Sequence, residues 1–146
     1  MKILIDADGC PVTDITVKEA VKRGIEAKIF SDTSHEFKRT DVECITVDKG
    51  ADSADFVIAN RVEKGDVIVT QDYGLASMCL AKGGFPIRQD GLLYTNDNID
   101  LLLHTRYEVK KAIRKGARVK GPKKRTAEDD EAYKKALCEL LDKLNQ

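Results

Sequence analysis

Four cysteines are spread over 146 residues, at Cys10, Cys44, Cys79 and Cys138, and no two of them form a C-x-x-C pair. That scatter argues against both a zinc site and a disulfide framework and suits a reduced, cytoplasmic protein. The two histidines, His35 and His104, stand alone and give no metal-ligand spacing. No apolar run approaches the ~20 residues of a membrane span. The opening Met1-Lys2-Ile3-Leu4-Ile5-Asp6 enters a strand-like run with no signal-peptide core. Neither a G-x-G-x-x-G nor a Walker sequence occurs, so a nucleotide cofactor is not indicated. Internal repeats and low-complexity tracts are also missing. What is present is ordinary for a soluble globular protein, 42% hydrophobic and 34% charged. The length fits one domain, with residues 117–146 as a basic linker and a C-terminal helix.

Net charge is zero, but the charges are segregated. Nine Lys or Arg and no acid lie between Lys110 and Arg125, whereas Asp41, Glu43, Asp48, Asp52 and Asp55 cluster upstream. Such asymmetry fits an anionic partner held by one region and cations by another, although a basic run alone is also what a solvated surface looks like.

Apolar periodicity divides the chain into alternating strands and helices. Strands fit residues 2–6, 25–30, 44–47, 67–70 and 85–88, and Leu92–Tyr94 can extend or pair with the last. Helices fit 13–23, stopped by Gly24, and 52–63, closed by Gly65. A third fits 73–82, closed by Gly83-Gly84. A further helix capped by Asn96 or Asp97 runs to about 115. Thr126-x-x-Asp129 then opens a final helix to about Leu144, with Ala132, Ala136, Leu137, Leu140 and Leu141 on its packing side. The pattern predicts an α/β fold of three layers: a mostly parallel central sheet, helices on both faces and C-terminal helices added.

Two strand-like runs turn acidic where they stop, Lys2-Ile3-Leu4-Ile5-Asp6-Ala7-Asp8 and Asp66-Val67-Ile68-Val69-Thr70-Gln71-Asp72. Ligands of open parallel sheets bind beyond the carboxyl ends of the strands, at the point where strand order reverses. Placing strand four beside strand one brings Asp6 and Asp72 together there, with Asp52 and Asp55 at a helix start on the same rim. Three or four converging carboxylates make the oxygen-rich setting preferred by Mg²⁺ or Mn²⁺, ions that drive attack at phosphorus. Asp52 and Asp55 also suit a plain helix start, and Asp8 suits a turn. Asp6 and Asp72 have no such local backbone role in prospect. Thr70 could hydrogen-bond a scissile phosphate or satisfy the strand end. Cys10 reads as an incidental thiol, and Asp48 and Asp90 as lesser acids near strand ends.

The segments Ile5-Asp6-Ala7-Asp8-Gly9-Cys10-Pro11-Val12 and Gly65-Asp66-Val67-Ile68-Val69-Thr70-Gln71-Asp72-Tyr73-Gly74-Leu75-Ala76 resemble the YaiI/YqxD family, an uncharacterised bacterial family with a PIN-like fold. Gly121-Pro122 and the following Thr126-Ala127-Glu128-Asp129-Asp130-Glu131-Ala132-Tyr133 match its C-terminal end, so the resemblance covers nearly the whole chain. Gly9 stands where the family pattern has Ala. PIN domains are metal-dependent ribonucleases. The resemblance therefore implies that Asp6 is the strand-one acid, Asp55 or Asp52 the helix acid, and Asp72 the acid of a Thr-x-Asp motif. Many PIN nucleases carry a further acid just beyond that motif, where Tyr73-Gly74-Leu75 offers none.

The leading expectation is a Mg²⁺- or Mn²⁺-dependent nuclease acting on RNA. Asp6, Asp52, Asp55 and Asp72 would hold metal, with Asp8 and Asp52 positioning water or a second ion. Thr70, Lys123, Lys124 and Arg125 would contact nucleic acid. Two alternatives stand beside it. One is a haloacid-dehalogenase-type phosphatase with Asp6 as nucleophile, although Gly65-Asp66 precedes its strand where that class expects a late acidic motif after one. The other is a non-catalytic RNA-binding protein.

Overall fold

The computed structural model describes residues 1–32, 42–47, 53–116 and 124–145. Among these described residues five strands form one sheet: β1 (Lys2–Asp6), β2 (Glu26–Asp32), β3 (Glu43–Val47), β4 (Val67–Val69) and β5 (Phe85–Ile87). Their order is β3-β2-β1-β4-β5, and every neighbouring pair is parallel. The first strand in the chain is therefore central, and the order reverses between β1 and β4. Leu92–Tyr94 supplies only an antiparallel bridge, Ile87 to Leu93.

Strand residues alternate between two cores because successive side chains point to opposite faces. Ile3, Ile5, Ala27, Ile29, Val67 and Val69 face one side. There they meet α1 (Thr13–Arg23) and α5 (Ala127–Leu144). Leu4, Phe30 and Ile68 face the other side, against α2 (Ser53–Arg61) and α3 (Tyr73–Ala81). These are the three layers expected. The remaining helix, α4 (Ile99–Arg114), packs on α3 through Ile99, Leu102 and Leu103. Among the described residues no helix is long and apolar enough to cross a membrane.

Local signals account for most helix limits. Gly24 ends α1 in the left-handed region at φ 67°, its N–H reaching Ala20 O and Val21 O. Thr126 and Asp129 form a reciprocal capping box at the start of α5. The start of α4 differs from expectation. Thr95 and Asn98 exchange hydrogen bonds, Thr95 N to Asn98 Oδ1 and Asn98 N to Thr95 Oγ1, so the turn closes later than Asn96 or Asp97. On α5, Ala132 is exposed and Tyr133 takes the core position, fully buried. The Tyr133 hydroxyl lies 2.7 Å from Thr16 Oγ1 on α1, and Thr16 in turn donates to Val12 O. A tyrosine looks too polar for a packing face until that buried partner is seen.

Candidate functional site

Asp6 ends β1 where the strand order reverses, half-buried under the loops that leave β1 and β4. Thr70, buried just past β4, donates its hydroxyl to Asp6 Oδ2 at 3.0 Å and accepts from the backbone N–H of Asp72, also at 3.0 Å. Thr70 thus links the two acids and satisfies the strand end. Tyr94 locks it from behind by donating to Thr70 O at 3.1 Å. Gln71 Nε2 donates to Gly9 O at 2.8 Å, which ties the two exit loops together.

Burial pushes the Asp6 carboxyl up to about 6, with the Thr70 hydroxyl opposing the shift and the charges of Asp8 and Asp72 adding to it. Asp8 also does local work, since both of its oxygens accept from Asp32 N at the end of β2, at 3.1 and 3.3 Å. Asp72 has the backbone role that its strand-end position concealed. It is the N-cap of α3, and its Oδ1 accepts from Leu75 N at 3.1 Å. The run ends with the strand at Val69, so Asp72 belongs to the next helix. Gly74 leaves room for that carboxylate, because a Cβ there would stand 3.2 Å from Asp72 Oδ1.

Asp55, in the first turn of α2, lines a cleft of about 410 Å³ with Asp72, Phe56, Gly74, Leu75, Met78 and Arg106. Asp8 and Asp72 thus both press on Asp6 at the β1 end, and Asp55 shares the cleft with Asp72. Asp52 and Lys123 lie outside the described residues. Lys124 is exposed before α5. Arg125 is instead tied down: its Nε donates to Asp130 Oδ1 at 2.7 Å and its Nη2 to Gln89 O at 2.9 Å. Asp90 pairs with Arg88 at 2.7 Å, and Arg88 also donates to the Tyr73 hydroxyl at 3.0 Å. Burial raises the Cys10 thiol, in keeping with an inert cysteine.

The donor chemistry suits a hard divalent cation, because the acids offer oxygen alone and Asp6 is desolvated beside two like charges. Among the described residues, however, no three His, Cys, Asp or Glu side chains are close enough together to hold an ion. Sequence reading overlooked Arg106, whose Nη1 lies 3.9 Å from Asp72 Oδ1, and Phe56, 59% exposed at the cleft mouth. A signal for Arg106 existed. The stripe of Ile99, Leu102 and Leu103 reaches position 106 at helical spacing, where an arginine stands in place of an apolar residue.

The uncharacterised YaiI/YqxD family model matches residues 4–143. The chain belongs to that family. A UPF0178 protein of Exiguobacterium sibiricum is 49% identical over 141 residues, covering 97% of this chain and 96% of the relative. A UPF0178 protein of Bacillus cereus is 49% identical over 144 residues, covering 97% and 99%. One from Clostridium acetobutylicum is 45% identical over 143 residues, covering 97% of each. No solved structure matches significantly. None of the relatives' names states an activity.

Proposed function

We propose that the chain is a Mg²⁺- or Mn²⁺-dependent nuclease acting on RNA. The observation that carries the reading is Asp6, a desolvated acid at the switch point of the sheet, pressed by Asp8 and Asp72 and pushed up to about 6. A bound cation would relieve that repulsion and supply the positive charge that in-line displacement at a phosphodiester calls for. With fewer than three described carboxylates converging, Asp6 and Asp72 would be its protein ligands. Water and the substrate phosphate would complete the shell, and Asp55 would face Asp72 across the cleft. Asp8, anchored to Asp32 N beside the end of β1, would orient a water. Thr70 holds Asp6 in place and fixes the helix cap of Asp72. Lys124 and the basic end of α4 would engage the phosphate backbone. Four free cysteines support a reducing, cytoplasmic setting.

The test combines binding and cleavage. Wild type should gain thermal stability from Mn²⁺ and cleave single-stranded RNA in its presence, and Asp6→Ala should lose both. An equal Mn²⁺-dependent rise in melting temperature in Asp6→Ala would remove the acid from the metal site. RNA binding without cleavage by the wild type in Mn²⁺ would make the protein a binding module.

A further inference from the structure

The cleft between α2, α3 and α4 carries side chains that metal binding does not use. Phe56 lies on the α2 turn beside Asp55, with 59% of its surface exposed. Leu75 and Met78 of α3 form an apolar wall near it, and Arg106 of α4 closes the other side. The volume of about 410 Å³ falls in the ~300–1,000 Å³ range of small-ligand clefts. An exposed aromatic ring beside an arginine is the combination that receives an unpaired base on its face and a phosphate at its edge.

Helix α4 extends the pattern. Arg106, Lys110 and Arg114 follow one another at i, i+4 and i+8, all exposed, and so form a single basic row. Successive members are separated by about 6 Å along the helix axis, so the row leads away from Asp72 as a track of evenly spaced positive charge. The run from Lys110 onward thus begins on a helix that reaches the acidic rim.

We propose that this cleft is a base-stacking subsite for single-stranded nucleic acid, in which Phe56 stacks a nucleobase next to the phosphate at the acidic rim, while Arg106, Lys110 and Arg114 guide the adjoining backbone. The proposal rests on the nuclease reading for the direction of the strand but makes its own demand. Bases must be unpaired to reach Phe56, so a duplex is a poor ligand. A phosphate backbone without bases loses the stacking contribution.

The chain has no tryptophan, so Phe56→Trp installs a single reporter at the subsite. Its emission is to be followed with a short single-stranded RNA, the DNA of the same sequence, the RNA duplex and an abasic strand of equal length, in Ca²⁺ and again in EDTA. Quenching by the single strands, with little or none from the duplex or the abasic strand, is expected. Phe56→Ala should weaken single-strand binding on the order of tenfold. Arg106→Gln with Lys110→Gln should also weaken it and flatten its salt dependence. Unchanged affinity in Phe56→Ala, or equal quenching by the abasic strand, overturns the subsite. So does a concentration-dependent blue shift without nucleic acid, which would mean that a second copy of the chain covers the ring. Quenching without cleavage in Mn²⁺ keeps the subsite and removes the nuclease reading; cleavage with unaltered Phe56→Ala binding does the reverse.

Discussion

Two aspartates bracket the middle of the sheet and differ in how they are supported. Asp66, buried at the start of β4, accepts from Lys2 N, Lys2 Nζ and Glu63 N, at 3.0, 2.6 and 2.8 Å. Asp6, at the far end of β1, accepts from the Thr70 hydroxyl and faces two like charges. Asp66→Ala should therefore destabilise strongly at neutral pH, by about 3 kcal/mol, because it strips a buried network of its acceptor. Asp6→Asn should do the opposite. The folded state holds the Asp6 proton up to about pH 6, against an ordinary value of 3.8. Between those values the folded form binds more protons than the unfolded form, so stability falls as pH rises through this window and remains lower above it. In EDTA, Asp6→Asn should melt higher than wild type at pH 7, and the gap should close toward pH 4. Thermal melts across pH 4–8 check this, and a pH-independent gap would mean the acid is not strained. Asp72 behaves as a cap: Asp72→Ala should cost about 1 kcal/mol, and Asp72→Asn should come close to wild type because asparagine caps as well.

At the scale of elements, α5 docks on α1 through a buried polar contact, Tyr133 to Thr16, set within its apolar face, and through the ion pair of Arg23 with Asp142 at its outer edge. Tyr133→Phe keeps the ring but removes the hydroxyl beside Thr16, and should lower stability by about 1 kcal/mol with an unchanged denaturant slope. Tyr133→Ala should cost about 3–5 kcal/mol, since a fully buried ring is deleted. Urea titrations separate the two. A close approach at Gly84 gives a second handle, where an added Cβ would come within 2.8 Å of Ile68 Cδ1 and 3.2 Å of Cys79 O. Gly84→Ala should force α3 and β4 apart and lower the melting temperature. The strands and the limits of α1 and α5 were legible in the sequence because periodicity and end-caps are local signals. Of the strand order, only the placing of strand four beside strand one was considered, from the switch-point rule of parallel sheets. The cap at Asp72, the tether on Arg125 and the burial of Tyr133 were not, because each depends on a partner or an element boundary that becomes defined only on folding. Phe56 and Arg106 escaped notice for a related reason: they are 50 residues apart and meet only where α2 and α4 both border α3.

Across the whole molecule, the strand that comes first in the chain lies in the middle of the sheet. β2 and β3 can pair beside it early, but its other edge must wait for β4, whose Val67 pairs with Ile3. A chain cut short before β4 would offer the Ile3-Leu4-Ile5 backbone, unpaired along that side and flanked by apolar faces, to any other strand in reach. Fragments ending near residue 60 should accordingly aggregate. Solubility should return only when β4 is included. A nascent chain passes through the same stage, so the slow step of folding is expected to be the closing of this long parallel pairing, and the interval before it is when the chain most needs protection from its neighbours.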